Sequence, residues 1–309
     1  MQKPIYLGLY GSRELDERIE RLYQILESCE LCPRKCRVNR LEGEKGVCRS
    51  GKDLQISSYG PHYGEENPLV GFGGSGTIFL TNCNLLCVYC QNYDISHLGY
   101  GEVRSESQAA NYLIELQDRG CHNINFVTPT HFTPQLIKAT KLAIEKGLKL
   151  PLVWNCSGYE NVEVIRLLDG VVDIYMPDIK YSLSEPANKY STAPDYFDRC
   201  KEAVKEMYRQ VGDLKSDRRG IAYRGLLIRH LVLPNDLAGS EVVLKFIAEE
   251  LSINSYVNVM SQYRPSGEAN QYRELSRRPT YKEFDRAVKI ATKLGLTRGL
   301  QVKHLLRFR

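Results

Sequence analysis

Three cysteines, Cys83, Cys87 and Cys90, lie on one short stretch with three and then two residues between them. Three thiolates on one loop can bind three irons of a [4Fe–4S] cluster, which ordinarily takes four cysteines. The nearest other cysteines are Cys48 and Cys121, both distant in sequence. One iron would then keep an open position, as the metal does in catalytic zinc sites. The spacing therefore predicts a cluster with one iron that a ligand can reach.

A zinc ion is the alternative occupant of this cysteine group, with His97 completing a Cys3His site. Structural zinc sites usually carry paired Cys-x2–4-Cys spacings on both halves of the site, whereas these three cysteines lie on a single short segment. We therefore expect a cluster at Cys83, Cys87 and Cys90.

A first cysteine group precedes these three, and it is complete in itself. It consists of Cys29, Cys32, Cys36 and Cys48. Four thiolates can close a zinc site or hold a second [4Fe–4S] cluster, and the spacing does not choose between the two. Basic neighbours would offset the thiolate charge: Arg34, Lys35, Arg37, Arg40 and Lys45. We expect a mainly structural role for this site.

The three remaining cysteines stand alone, and we expect them to be small buried hydrophobic residues. They are Cys121, Cys156 and Cys200.

Short apolar runs alternate with helical periods from about residue 75. Strands are predicted at Thr77–Leu80, Ile124–Val127, Pro151–Trp154, Val172–Met176, Leu226–Leu233 and Tyr256–Met260, with a seventh at Gly299–Val302. One predicted helix is capped by Thr133 and ends at Gly147, and another starts with the capping box Thr280–Glu283. The cysteine loop follows the first strand, at the end where active sites of α/β barrels gather.

This β-α repetition predicts an α/β fold with a parallel sheet and helical crossovers. About six βα units favour a partial or open (β/α) barrel. Residues 1–70 are predicted to form an N-terminal extension with one amphipathic helix and the four-cysteine metal loop. Residues 71–309 would form the barrel and a C-terminal helix-strand extension. We expect an insertion or lid at 182–220, with a helix after Pro194, and a flexible glycine-rich loop under the cluster at 71–76.

Composition excludes several classes of protein. Hydrophobic residues make up 42% and charged residues 26% of the chain, which does not suit a disordered protein. The net charge of +5 is dispersed and does not favour nucleic-acid binding. The long uncharged run 67–93 contains glycines, asparagines and cysteines that do not suit a membrane span, and the first 20 residues lack a signal-peptide core. We predict a cytoplasmic protein with reduced thiols.

The pattern Cys83-x3-Cys87-x2-Cys90, with the aromatic Tyr89 before its last cysteine, resembles the signature of the radical S-adenosylmethionine (SAM) superfamily. Gln91 and Asn92 resemble the branch of the pyruvate formate-lyase activating enzymes. Four later motifs resemble the activating-enzyme-like proteins related to that branch: Trp154–Tyr159, Met176–Lys180, Arg229–Pro234 and Met260–Pro265. The resemblance covers the chain from about Cys29 to about Leu296.

This resemblance implies an enzyme whose open cluster iron binds SAM. Reductive cleavage of SAM would give a 5′-deoxyadenosyl radical that abstracts hydrogen from a substrate. The substrate would be a glycyl-radical-type protein partner or, alternatively, a small molecule or peptide. Flavodoxin or ferredoxin would donate the electron. A remote alternative from another class is a non-enzymatic, zinc-binding interaction module.

The resemblance also implies cofactor contacts, although it names no catalytic residue. The expected contacts are Tyr89, Asn92, Thr130, Asn155, Asp178, Lys180 and His230. One departure matters, because activating enzymes carry a Gly-Gly-Glu-Pro turn after the second strand to receive the SAM amino group. Residues 128–131 read Thr-Pro-Thr-His here and lack the acidic acceptor. Hydroxyls and carbonyls would then replace it, or the SAM ammonium would bind differently.

Overall fold

A computed structural model describes residues 3–300 of the chain. The strands are β1 (Leu54–His62), β2 (Ser75–Leu80), β3 (Glu102–Arg104), β4 (Ile124–Val127), β5 (Leu152–Cys156), β6 (Ile174–Pro177), β7 (Lys215–Ser216), β8 (Ala222–Leu231) and β9 (Tyr256–Met260). The helices are α1 (Tyr6–Ser12), α2 (Glu14–Gln24), α3 (Asn67–Val70), α4 (Tyr93–Ser96), α5 (Glu106–Asp118), α6 (Thr133–Glu145), α7 (Val162–Leu167), α8 (Ser184–Ser191), α9 (Tyr196–Val211), α10 (Ser240–Glu250) and α11 (Tyr281–Lys293).

The core of the fold is a run of six parallel strands in the order β2, β4, β5, β6, β8 and β9. β1 and β3 extend the sheet beyond β2 in antiparallel orientation, and β7 pairs with the start of β8. Within residues 3–300 no strand pairing joins β9 to β2, so the barrel is open along that side. The predicted α/β fold with a partial barrel of about six βα units is confirmed.

All six strands predicted between residues 77 and 260 are present, with ends that shift by a few residues. Of the seventh, Gly299–Val302, residues 301 and 302 lie outside the described part of the chain, and Gly299 lies in a turn. The prediction missed β1, in which Gly60 and Pro61 weaken the strand pattern. It also missed the short strands β3 and β7.

Residues before and after the predicted domain boundary at residue 70 contact each other in two ways. β1 pairs with β2 from Ile56 to His62, so part of the expected N-terminal extension belongs to the barrel sheet. The N-terminal helices share the main hydrophobic core, and the buried Tyr6 hydroxyl donates a hydrogen bond to the carbonyl of Leu150 at 2.9 Å. The segment before β1 therefore packs onto the barrel and carries two helices, where the sequence predicted one.

The two predicted helix starts have different outcomes. Thr280 and Glu283 form the expected capping box at the start of α11. The predicted cap at Thr133 is wrong, because Phe132 is the N-cap and Thr133 is already helical. A 3-10 turn at 130–132 leads directly into α6, and the Thr133 hydroxyl donates to the Thr130 carbonyl at 2.8 Å.

Residues 182–220 are neither an insertion nor a lid. They contain α8 and α9, and α9 is the crossover between β6 and β8. Its buried face includes Cys200, Val204 and Met207. Charged residues of α9 such as Asp198, Arg199 and Lys205 have exposed side chains, as expected of an amphipathic crossover helix.

The glycine-rich segment lies at the end of β2 opposite the cysteine loop, so its predicted place under the cluster is wrong. The backbone at Gly73 packs directly against the backbone at Gly120, since a Cβ at Gly73 would lie 1.9 Å from the Gly120 carbonyl oxygen.

Side chains alternate between the inside and the outside of the barrel along each strand, which sorts the residues that can line its interior. Val153, Met176 and Leu227 belong to an apolar cluster that also contains Leu69 and Ile174. Two residues further along the same strands, the interior positions are occupied by Asn155, Asp178 and Arg229. The carboxyl ends of the strands therefore present polar groups above an apolar floor.

Candidate active site

A cavity of about 470 Å³ lies at the carboxyl ends of the parallel strands. It is lined by all three cysteines of the second group and by five of the seven predicted cofactor residues: Tyr89, Asn92, Asn155, Asp178 and Lys180. A cavity of this size and mixed polarity can enclose a small-molecule ligand.

The cysteine loop connects β2 to α4 through a sharply turned backbone. Asn82 and Leu86 adopt left-handed conformations, with φ of 64° and 56°. The Leu85 N–H donates to Cys83 Sγ at 3.3 Å. The Ser96 hydroxyl donates to Cys90 Sγ at 3.2 Å. Such donors stabilise thiolates, which are the form of cysteine that binds metal.

The rest of the protein anchors the same loop on two sides. The Val88 N–H donates to the carbonyl of Tyr190 at the end of α8, at 2.9 Å. The Glu268 N–H donates to the Val88 carbonyl at 2.7 Å. The loop is therefore fixed by backbone hydrogen bonds to distant segments.

Burial raises the pKa of Cys83 to about 12. Burial also raises the pKa of Cys87, with the positive charge of Lys180 acting in the opposite direction. Buried thiols of this kind become thiolates when a metal centre compensates the charge. The donor set thus fits an iron–sulfur cluster.

Single-ion sites have less support here. Within residues 3–300, no three His, Cys, Asp or Glu side chains surround a point where one metal ion could bind. A cubane holds its thiolates farther apart than one ion does, because the cluster fills the space between them. His97 does not line the cavity; its ring stacks on Tyr93, and its Nδ1 lies 2.8 Å from Ser96 Oγ.

Arg229 is the centre of a polar network on the cavity wall. Its guanidinium donates to Asp178 Oδ1 at 2.7 Å, to Asn155 Oδ1 at 2.6 Å and to Glu65 Oε1 at 3.2 Å. Lys180 Nζ donates to the other Asp178 oxygen at 2.7 Å. A planar guanidinium suits this arrangement because its donors diverge in fixed directions.

These contacts fix the charge of the network at neutral pH. Burial alone would raise the pKa of Asp178, but the charges of Arg229 and Lys180 outweigh it and hold that pKa below its ordinary value. Burial opposes the charge of Lys180, and Asp178 nevertheless raises the Lys180 pKa. The cavity therefore presents permanent charges of both signs to a ligand.

Two carboxylates in the connection between β1 and α3 also reach the cavity. Glu65 accepts hydrogen bonds from Asn125 at 2.9 Å and from Asn155 at 3.2 Å. Glu66 accepts from Asn258 on β9 at 2.8 Å, and burial raises the Glu66 pKa. The Glu66–Asn258 contact joins the connection between β1 and α3 to β9.

Glu65, Glu66 and Arg229 are not among the site residues expected from the sequence. Arg229 lies in a quoted motif, and the strand alternation could have selected it over its neighbour His230. No local pattern connects the two glutamates to the site.

The structure places His230 and Thr130 away from the cavity, unlike the other predicted cofactor residues. His230 faces the outside of β8, with Nδ1 2.7 Å from the Ile179 carbonyl and Nε2 2.9 Å from Ser240 Oγ on α10. The Thr130 hydroxyl donates to buried Glu160 at 2.6 Å. Neither side chain can contact a ligand in the cavity without rearrangement, so the structure does not support their predicted contacts.

Of residues 128–131, Thr128 lines the cavity. Thr128 has a φ of 61°, which is strained for a β-branched residue. Such strain concentrates at functional sites. Among the three isolated cysteines, all are buried as expected, but Cys156 also lines the cavity.

Tyr89 and Asn92 occupy different depths of the cavity. Tyr89 is buried, with its ring edge-to-face against Tyr181 at 6.3 Å and Tyr263 at 5.7 Å. Asn92 is exposed and is the N-cap residue of α4, without a side-chain capping bond.

The first cysteine group encloses a small space of its own. Its wall contains Cys29, Cys32, Cys36 and Cys48, together with Arg40, Gly46 and His131. A Cβ at Gly46 would lie 2.7 Å from Cys36 Sγ, and buried His131 Nδ1 has no hydrogen-bond partner within the described residues. Buried Arg40 lies 3.9 Å from Cys29 Sγ and supplies positive charge. Four thiolates around one space suit a metal centre, although here too no three ligand side chains within residues 3–300 surround a point where a single ion could bind.

Comparisons with known proteins agree with this geometry. Residues 77–216, from β2 to β7, match the family model of the Radical SAM superfamily. "Uncharacterized protein MJ0674" of Methanocaldococcus jannaschii is 35% identical over 290 residues, which cover 91% of this chain and 79% of that protein. The chain belongs to the radical SAM superfamily. It is therefore an enzyme of a superfamily that uses a [4Fe–4S] cluster and SAM.

A second M. jannaschii protein, "Uncharacterized protein MJ0808", is 27% identical over 168 residues, 49% of each chain. Among solved structures, the radical SAM methyltransferase TsrM from Kitasatospora setae has a TM-score of 0.48 and 12% identity, covering 74% of this chain and 52% of that chain. Native anSMEcpe with bound AdoMet has a TM-score of 0.48 and 12% identity, covering 73% of this chain and 64% of that chain. This radical SAM chain thus spans between half and two thirds of each of these structures.

None of the helices within residues 3–300 is both long enough and apolar enough to cross a membrane.

Proposed function

We propose that this radical SAM chain binds a [4Fe–4S] cluster through Cys83, Cys87 and Cys90, cleaves SAM reductively and abstracts hydrogen from a substrate. One observation carries the proposal. The three cysteines share a cavity with the Arg229-centred network at the carboxyl ends of parallel strands. The cluster and SAM, when bound, supply the electron transfer and the 5′-deoxyadenosyl radical.

The chain's own residues would bind and orient the ligand. The ammonium of Lys180 lies near Cys87 and would offset thiolate charge. Asn155 and Asp178 are held in fixed rotamers by Arg229, so they can present polar atoms to SAM without reorganising. Tyr89 would exclude water from the buried end of the cavity.

For the substrate we propose a glycyl-radical-type protein partner, with flavodoxin or ferredoxin as electron donor. The open side between β2 and β9 supports an extended peptide, because a closed barrel could not admit one. A small-molecule substrate is the alternative. Two features of the sequence favour this alternative: a possible insertion at 182–220 and the missing acidic residue at 128–131. The first no longer applies, because 182–220 contains the crossover helix α9, and the second still does.

Anaerobic purification, followed by iron and sulfide counting, tests the cluster. Dithionite and SAM are then added, and 5′-deoxyadenosine is measured by chromatography. We expect the wild-type chain to form it and Cys83→Ala, Cys87→Ala and Cys90→Ala to lose this activity. Cys121→Ala is the matched control, since Cys121 is buried outside the cavity.

A colourless protein with zinc and no acid-labile sulfide would contradict the proposal and favour the interaction module. The substrate is tested separately. An increase in 5′-deoxyadenosine with a candidate metabolite in the absence of any protein partner would favour the small-molecule alternative.

A further inference from the structure

Arg34 belongs to the first cysteine group by sequence, yet its side chain contacts the second. It lies between Cys32 and Cys36, and its guanidinium donates to four backbone carbonyls. Two of these carbonyls are in the cluster loop: Asn84 at 3.0 Å and Leu85 at 3.3 Å. The other two, Ser191 at 2.7 Å and Thr192, end α8.

These four bonds connect the segments that hold the cluster loop in place. The Leu85 N–H donates to Cys83 Sγ and belongs to the same peptide unit as the Asn84 carbonyl, so Arg34 holds the unit that orients that sulfur. α8 also accepts the Val88 N–H through the carbonyl of Tyr190. A charged donor to several carbonyls is hard to replace, because a neutral side chain leaves some of them without a partner.

The first cysteine group in turn fixes Arg34. The Lys35 N–H donates to the Cys32 carbonyl at 3.1 Å, and the Arg37 N–H donates to the Cys29 carbonyl at 3.0 Å. Lys35 and Arg37 have left-handed backbones, so the turn that carries Arg34 is tight. A metal bound by the four thiolates would cross-link this turn to the segment around Cys48.

A second connection runs in parallel. Arg40 Nη1 donates to the His131 carbonyl at 2.7 Å. His131 lies between this contact and the cluster loop. Its Nε2 donates to the carbonyl of Thr81, which immediately precedes the cluster loop, at 2.7 Å.

We propose that Arg34 is a positioning residue through which metal occupancy of the first cysteine group fixes the Cys83–Cys90 loop for cluster and SAM binding. This inference rests on the proposed function for the role of the loop. The first metal site then acts on the reaction through backbone geometry and need not carry electrons.

The test compares Arg34→Gln with Arg37→Gln in protein purified anaerobically with both sites loaded. Arg37 is the matched control because it lies in the same turn but pairs with Glu30 at the surface. Hydrogen–deuterium exchange follows the peptide that contains Val88 and Cys90. Electron paramagnetic resonance of the reduced protein, with and without SAM, reports on the open iron.

We expect exchange in this peptide to rise about tenfold or more in Arg34→Gln, because several charge-assisted bonds are lost, and to stay at the wild-type rate in Arg37→Gln. The SAM-induced spectral change should weaken only in the first variant. Arg34→Lys should recover part of both signals, since an ammonium retains the charge but not the planar fork.

Metal occupancy is varied with Cys36→Ser/Cys48→Ser. Loss of the first metal should accelerate exchange of the loop more when Arg34 is present than in Arg34→Gln, where only the connection through Arg40 and His131 remains. Equal acceleration in both backgrounds, or wild-type exchange in Arg34→Gln, would overturn the inference. If exchange of α10 shows that the cysteine variant unfolds, the comparison of Arg34→Gln with Arg37→Gln decides.

The two proposals fail separately. A wild-type chain that forms 5′-deoxyadenosine without this coupling overturns only the inference about Arg34. A chain that shows the coupling in exchange but forms no 5′-deoxyadenosine overturns only the proposed function.

Discussion

Replacement of Arg229 by Met should destabilise the protein strongly. Arg229 is buried against Asp178, Asn155 and Glu65, and Met fills a similar volume without charge. Removing one partner of a buried ion pair typically costs about 3–5 kcal/mol. Here Asp178 keeps its ion pair with Lys180 and Glu65 loses its ion pair with Arg229, so both carboxylates lose positive charge. At roughly 2–3 °C per kcal/mol for a chain of this size, the expected decrease in Tm is about 6–15 °C.

The loss of stability in Arg229→Met should depend on pH. Arg229 lowers the pKa of Asp178, so its contribution to stability is present above the ordinary carboxyl pKa and is lost as pH falls through the lowered folded value. The difference in Tm between wild type and Arg229→Met should therefore be largest near neutral pH. It should begin to shrink below about pH 4, the ordinary carboxyl pKa, and disappear only once the pH is below the lowered pKa of Asp178 in the wild-type protein.

Anaerobic thermal unfolding followed by circular dichroism measures this difference at several pH values. Arg224→Met is the matched control, because Arg224 lies on the same strand and its guanidinium donates a single bond, to the Gln210 carbonyl at 3.2 Å. We expect a loss of about 1 kcal/mol or less in the control. Equal Tm decreases in the two variants, or a decrease that stays unchanged as pH falls from about 5 to about 2, would refute the role assigned to the Arg229 network.

Gly46→Ala should lower metal content at the first cysteine group, because its Cβ would lie 2.7 Å from Cys36 Sγ; Gly51→Ala, with nothing within 4 Å, should retain it in elemental analysis. Burial raises the pKa of Glu160 to about 8, so wild-type stability should fall as pH rises from about 5 to 8; Glu160→Gln should flatten this slope in Tm, and equal slopes would argue against it. His230→Leu should cost about 1–3 kcal/mol of stability yet leave the KM for SAM unchanged, whereas a several-fold higher KM would restore its predicted cofactor contact.

Much of the fold could be predicted because its signals are local. Apolar runs such as 124–127 and 256–260 coincide with β4 and β9, since buried parallel strands need continuous apolar sequence. β1 could not be recognised in this way. It contains Pro61, and it is stabilised by pairing with β2 across a connection that includes α3.

Strand alternation also explains the mixed outcome for the predicted cofactor residues. Asn155 and Asp178 face the barrel interior and line the cavity, and their contact with a cofactor stays a prediction. The expectation that strand ends present ligand contacts also selected His230, although its neighbour Arg229 has the interior position. A shift of one residue along a strand moves a side chain to the opposite face, so a motif defined only to within a residue does not choose between them.

The relation between the two cysteine groups is the part that spacing could not reveal. Each group was recognised from its own short segment, because thiolate ligands of one metal site are close in sequence. The two groups are connected through Arg34, and the sequence alone predicts only that its positive charge offsets the charge of nearby thiolates. Its bonds reach carbonyls 50 and 157 residues away, and a backbone carbonyl has no sequence signature. A basic residue in a cysteine loop can therefore compensate thiolate charge or organise a second site, and only the folded chain distinguishes these roles.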